Sequence, residues 1–144
     1  MNDFVKDFDG WIIKKKEHHY RKTIPPLFKE RDIWWISIGV NVGFEEDGKN
    51  SNFVRPVLIV KKFNRELFLG IPMSTKIKKD NKYYIQVSLK GKNVSVMSSQ
   101  MRVFSSKRIW NKLAELDEKD FTKVLKEVTK FFVLPSPLYR RGRG

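Results

Sequence analysis

From Asp32 to Ser105 the apolar residues come in runs of a few positions, each closed by a glycine, an asparagine or a cluster of charges. Such a segment has no room for long helices and suits short strands. Asp32-Ile33-Trp34-Trp35-Ile36-Ser37-Ile38 is rich in aromatic and β-branched residues and stops at Gly39. Val42 to Asn50 follows with turn formers and the acids Glu45, Glu46 and Asp47, the composition of a loop. Phe53 to Phe63 and Leu67 to Met73 read as two strands around a tight turn, Asn64-Arg65-Glu66. Tyr83 to Leu89 alternates, and Lys90-Gly91-Lys92-Asn93 turns it back into Val94-Ser95-Val96-Met97. Many short strands at close spacing predict a barrel or a sandwich.

The flanks differ. Phe4, Phe8, Trp11 and Ile12 share one face of a helix predicted from Asn2 to Tyr20, with Lys14-Lys15-Lys16 at its solvated end. Pro25-Pro26 stops that helix and begins an extended connection. At the other end Asp117 is a good N-cap for a helix carrying Phe121, Val124, Leu125, Val128, Phe131 and Phe132 on one face, ended by Pro135 and Pro137. Lys107 to Leu116 fits a short helix, a strand, or one followed by the other. The tail Leu138 to Gly144, with Arg140, Arg141 and Arg143, fits either a polyanion-binding arm or a frayed end. There is no internal repeat. The expected organisation is a helical extension over 1–30, a mainly β domain with α (α+β) over 31–134, and a basic disordered tail over 135–144.

With 144 residues, 40% of them hydrophobic, the chain can bury a core without staples. Thirty Lys and Arg against sixteen Asp and Glu leave a net charge of +14, which attracts polyanions, nucleic acid first among them. The absence of cysteine excludes disulfides and thiolate metal sites. No signal-peptide pattern opens the chain, and runs such as Val57-Leu58-Ile59-Val60 are too short to cross a bilayer. The expectation is a soluble, intracellular protein.

Few residues are left to carry chemistry. His18 and His19 are neighbours on the predicted helix and point about 100° apart, so they do not form an acid–base couple. Both are expected to face solvent. Glu45, Glu46 and Asp47 fall short of the oxygen array a hard cation needs, and they too are read as solvent-facing. No glycine-rich phosphate loop, Ser-His-Asp order or zinc spacing occurs. What remains are polar residues at strand ends. Arg55 stands between Val54 and Pro56 at the start of an apolar strand, Ser74 and Thr75 follow Ile71-Pro72-Met73, and Lys76, Lys78 and Lys79 come next. Gln100 and Arg102 alternate with Met101 and Val103, which places them on one face of a later strand.

Together these segments resemble the MazF/PemK-like toxins. The likeness rests on Asp32-Ile33-Trp34-Trp35, on Gly43 followed closely by Glu45, and on Val54-Arg55-Pro56-Val57-Leu58-Ile59-Val60. It continues through Ile71-Pro72-Met73-Ser74-Thr75-Lys76-Ile77-Lys78, Ser99-Gln100-Met101-Arg102 and Asp117, in the family's order, and covers about Glu30 to Phe132. The helix before Pro25 and Lys61-Lys62-Phe63-Asn64 resemble features of a bacterial subgroup. The resemblance implies a small SH3-like β-barrel with a C-terminal helix, paired into a cytoplasmic homodimer with two basic grooves. It also implies metal-independent, cofactor-free cleavage of single-stranded RNA, with the substrate 2′-OH as nucleophile. The implied partner is a cognate antitoxin whose acidic tail covers the groove, the two together binding DNA; no membrane is involved.

By the same resemblance Arg55 holds the scissile phosphate, and Ser74 or its neighbour Thr75 supplies the hydroxyl that is usually a threonine. Gly43, Glu45, Asn64, Lys76, Lys78, Gln100 and Arg102 are the implied substrate-binding residues. A guanidinium keeps its proton in almost any protein setting, so charge stabilisation suits Arg55 better than general-base duty. Two further readings of the same barrel stay open: a nucleic-acid-binding module without turnover, and a module that grips an acidic protein segment.

Overall fold

The computed structural model describes residues 5–133. It contains a helix α1 (Phe8–His19), seven strands and a second helix α2 (Glu118–Thr129). The strands are β1 (Asp32–Ser37), β2 (Val54–Lys62), β3 (Leu67–Ser74), β4 (Tyr84–Leu89), β5 (Lys92–Met97), β6 (Arg102–Ser105) and β7 (Ile109–Glu115). All pairings are antiparallel, in the order β4-β5-β3-β2-β1-β7, with β6 on β3. The sheet curls into a barrel-like α+β fold without closing. Lys107 to Leu116, undecided from pattern, is a 3-10 turn (Ser106–Arg108) followed by β7.

The continuous apolar run of β2 follows from its place. Leu58 joins the core between the sheet and α2, together with Ile33, Ile71, Val124 and Val128. Its neighbours Val57 and Ile59 face the other way, into a core with Phe68, Phe104 and Ile109. A strand covered on both faces has no solvent side to mark with polar residues. Each fully buried aliphatic side chain contributes about 1.5–3 kcal/mol.

β3 branches, and this places the site. It pairs with β6 through Leu67 to Gly70 and with β5 only at Met73 and Ser74. Ser74 therefore stands at a corner where the sheet divides. Arg55 lies opposite Ile36 on β1, one position before Pro56 and beyond the last β2–β3 pair, Val57 with Pro72. The strand end leaves its side chain room to turn aside.

The N-terminal helix differs from its prediction. It starts at Phe8, with Asp7 accepting from the Gly10 amide at 3.0 Å, and Phe4 lies outside the described residues. Its buried side chains are Trp11 and His18, while Phe8 and Ile12 stay about half exposed. Apolar spacing favoured Phe8 and Ile12, but the sheet offers one socket, at Gly39, Val40 and Phe53. Gly39 has φ +86, and a Cβ there would stand 2.2 Å from the Trp11 indole, so only glycine fits beneath that ring. The packing draws His18 inside, against Trp110, contrary to the expected solvated position.

α2 begins after Asp117 as expected, although the Asp117 side chain makes no capping bond. Val124 and Val128 are buried, Phe121 and Leu125 partly so, and Phe131 and Phe132 lie exposed in a terminal 3-10 turn. Pro135, Pro137 and the arginines of the tail lie outside the described residues.

Candidate active site

Arg55 reaches from the start of β2 toward the loop between β1 and β2. Its Nε donates to the Asp47 carbonyl at 2.5 Å, its Nη1 to the Met73 carbonyl at 3.4 Å, and its Nη2 pairs with the Glu46 carboxylate. The side chain is 12% exposed. Two backbone carbonyls thus aim the guanidinium, and one carboxylate neutralises it.

Ser74 is buried at the end of β3. Its Oγ accepts from the Lys76 amide at 3.1 Å and donates to nothing among the described residues, which leaves its proton for a ligand. Thr75 next to it is exposed. Arg55, Ser74 and Thr75 line one cavity of about 540 Å³. Trp35, Pro56, Met73 and Leu89 contribute apolar wall, while Lys49, Lys90 and Lys92 add cations, and no carboxylate lines it among the described residues. Lys90 and Gly91 have φ of 50 and 79, the mirror-image turn that joins β4 to β5 tightly and carries Lys90 and Lys92 to the cavity. The turn is legible in Lys90-Gly91-Lys92-Asn93, but the place of its lysines on the cavity is not. With thirty basic residues in the chain, only the hairpin register marks these two.

The remaining expected residues divide. Glu45, Gln100 and Arg102 line a second cavity of about 600 Å³, with Asn41, Phe44 and Glu46. Gln100 is not on a strand with Arg102: it closes a 3-10 turn, Ser98–Gln100, before β6 begins. From there its Oε1 accepts from the Glu46 amide at 3.1 Å. Burial lowers the pKa of the Arg102 guanidinium, opposed by the nearby Glu45 carboxylate. Glu46 connects the two cavities, lining the second while its carboxylate holds Arg55 of the first.

Gly43, at φ +55, lends its carbonyl to the Lys6 ammonium at 2.9 Å. The acidic loop does not simply face solvent. Asp47 pairs with Lys6 at 3.1 Å and accepts from the Asn41 amide at 2.7 Å, and Glu46 is committed to Arg55. Of the three acids Glu45 alone is exposed, its carboxylate accepting from the Val42 amide. Lys76 is exposed just after Ser74, its carbonyl bonded by the Ser95 hydroxyl at 2.6 Å. Lys78 lies 4.8 Å over the Tyr84 ring beside a shallow surface depression. Asn64 sits at the far end of β2, where its Oδ1 accepts from the Glu66 and Leu67 amides and shapes the hairpin turn. The structure does not bring it to Arg55. Among the described residues no three His, Asp or Glu side chains come together as a metal site.

Residues 29–132 match the family model of PemK-like, MazF-like toxins of type II toxin–antitoxin systems. The chain belongs to this family. MazF from Deinococcus radiodurans superposes with a TM-score of 0.63 at 18% identity, covering 74% of this chain and 97% of that one. The Mycobacterium tuberculosis toxin MazF-mt6 gives 0.54 at 12% identity, covering 73% and 99%. An endoribonuclease solved with its cognate antitoxin from a mycobacterial species gives 0.57 at 10% identity, covering 76% and 98%. No curated protein sequence matches. At these identities the likeness to MazF structures is one of fold. Helix α1 precedes the part of the chain that the PemK-like model covers. No helix among the described residues is long and apolar enough to cross a membrane.

Proposed function

We propose that this PemK-like toxin is a cytoplasmic endoribonuclease that cuts single-stranded RNA without a metal or other cofactor. The observation that carries the reading is the meeting of Arg55, Ser74 and Thr75 in one cation-lined cavity. RNA brings its own nucleophile, so the enzyme positions and stabilises. The substrate 2′-hydroxyl gives up its proton to solvent as its oxygen bonds to phosphorus, the bond from phosphorus to the 5′-oxygen breaks, and that oxygen takes a proton from solvent, leaving a 2′,3′-cyclic phosphate and a 5′-hydroxyl. Arg55 grips the phosphate and offsets the charge that builds on its oxygens. The Ser74 hydroxyl, with its donor free, is the better placed of the two to bond a phosphoryl oxygen, and Thr75 stands at the rim. Lys49, Lys90 and Lys92 hold flanking phosphates, and Gln100 and Arg102 in the adjoining cavity contact neighbouring nucleotides.

Two further parts of the reading draw support from the surface and from the relatives. Val42, Phe44 and Trp110 expose apolar surface that suits a second copy of the chain in a homodimer. MazF from Deinococcus radiodurans is solved as a MazE–MazF complex, which supports an antitoxin partner for this chain.

Incubation of purified protein with a defined RNA, followed by mapping of the product ends, tests the activity. Arg55→Ala is expected to cut about 100- to 1000-fold more slowly with its fold intact. Undiminished cutting by that variant removes Arg55 from the mechanism. Salt-sensitive binding with no product from the parent protein leaves a binding module instead.

A further inference from the structure

The linker between α1 and β1 crosses the molecule at the end remote from Arg55. Lys62, which lines the groove there, is seven residues along β2 from Arg55, or about 23 Å. Arg21 anchors the linker's start, donating to the Lys107 and Ile109 carbonyls at 3.0 and 2.9 Å. Phe28 anchors its end: the ring is buried 5.1 Å from Phe68, and the Lys62 ammonium donates to the Phe28 carbonyl at 2.9 Å. Between these anchors Pro25-Pro26 hold the chain extended. The linker stands off the β2–β3 turn and leaves a groove of about 460 Å³.

The groove has two chemical characters. Ile24 and Leu27, 81% and 74% exposed, form an apolar side of the groove with the two prolines. Lys22, Lys62, Arg65 and Lys107 line it as cations, and none of them is ion-paired among the described residues. Glu66 is the one acid lining it. The backbone amides of Thr23, Ile24 and Leu27 bond to nothing else among the described residues.

We propose that this groove docks an acidic protein segment studded with apolar residues, at a site separate from the Arg55 cavity. Carboxylates meet the cations, alternate apolar side chains meet the apolar side, and the unbonded amides pair with an extended partner backbone. Single-stranded nucleic acid fits less well. Phe28, the one aromatic residue lining the groove, is 4% exposed, so bases find no ring to stack on. Lys22 to Leu27 precede residue 29, where the family likeness begins, so the groove is an addition made by the N-terminal extension. The inference goes beyond the proposed activity and does not depend on it.

Fluorescence anisotropy of a labelled synthetic peptide alternating Glu with Leu, titrated with the full chain at low salt, tests this. Lys22→Glu with Arg65→Glu reverses two exposed charges, and Ile24→Asp alters an exposed residue of the apolar side, so each variant keeps the fold. Each is expected to weaken peptide binding at least about ten-fold. Lys90→Glu with Lys92→Glu, on the Arg55 cavity, is expected to leave it within about two-fold. A 2′-deoxy oligonucleotide supplies the second arm, and its binding is expected to follow the Lys90 and Lys92 changes alone. Three results overturn the proposal. They are no saturable peptide binding, loss of peptide binding on reversal of Lys90 and Lys92 but not of Lys22 and Arg65, and loss of oligonucleotide rather than peptide binding on reversal of Lys22 and Arg65.

Discussion

Glu46 and Arg55 are paired carboxylate to guanidinium, so the cation best placed to grip a phosphate already holds an anion. The pair is held from several sides. Gln100 accepts from the Glu46 amide, the Asp47 and Met73 carbonyls aim the guanidinium, and Lys6 ties Asp47 down from the N-terminal segment. Under the proposed function an incoming phosphate displaces the carboxylate. Glu46→Gln keeps the side-chain shape and removes the competing charge. The expected result is tighter binding of an uncleavable 2′-deoxy oligonucleotide, by about ten-fold, with a salt dependence steeper by about one released counterion. Equal or weaker binding by the variant shows that the carboxylate orients Arg55 for the phosphate instead of competing with it.

Lys90 in the two-residue turn and Lys92 at the start of β5 line the same cavity, with no carboxylate among its described lining residues. A cation that meets a phosphate releases condensed counterion from single-stranded nucleic acid, worth about 0.7 in the slope of log affinity against log salt. Lys90→Ala with Lys92→Ala is therefore expected to lower that slope by about 1.4 and to weaken binding across sequences alike. Titrations at three salt concentrations measure it. An unchanged slope places both lysines off the nucleic-acid path.

How far the sequence foretold this molecule depends on the range of the interactions involved. The strands were legible because aromatic and β-branched runs and their turns are local, and Val54-Arg55-Pro56 marked the strand end that frees Arg55 to leave the sheet. Ser74 and Thr75 were legible as strand-end hydroxyls. The Glu46–Arg55 pair was not, since three adjacent acids read as solvated until the loop folds back over β2. Nor was the burial of His18 at the expense of Phe8 and Ile12, because the Trp11 socket is built by Gly39, Val40 and Phe53, far along the chain. Asn64 shows the converse. Its position beside a resembling motif suggested substrate contact; its Oδ1 shapes the hairpin turn at the far end of β2 from Arg55, and its Nδ2 donates to nothing among the described residues.

Asp32 opens β1 within a stretch that helped to mark the family, and its role here is structural. Its side chain is 3% exposed, and its carboxylate accepts from the Trp34 indole at 3.1 Å and the Lys29 amide at 3.0 Å and lies 3.1 Å from the Lys112 ammonium. Burial pushes its pKa up, and these donors outweigh burial and hold it below the ordinary carboxylate value. Asp32→Ala strands the indole and amide N–H groups without an acceptor, at a cost of about 2 kcal/mol. Chemical denaturation is expected to show that loss while RNA cutting per folded molecule stays at the parent level. A stability within about 0.5 kcal/mol of the parent, typical of a surface change, contradicts this account.

His18 makes the stability of the fold sensitive to mild acid. Burial lowers its imidazole pKa below 6.5, and the cations Arg21, Arg108 and Lys14 push the same way against a bond involving the Lys107 backbone. Its Nε2 is buried with no partner among the described residues. The unfolded chain, with an ordinary imidazole, thus binds a proton that the native chain refuses. Stability is highest above pH 6.5 and falls as the pH drops through 6.5 toward the lower native value. His18→Phe keeps an aromatic ring against Trp11 and Trp110 and removes the proton, so the melting temperature is expected to lose much of its dependence on pH in that window. His19→Gln, at an exposed position, serves as the control and is expected to retain the dependence. If His18→Phe melts with the same pH profile as the parent, the acid sensitivity belongs to another group.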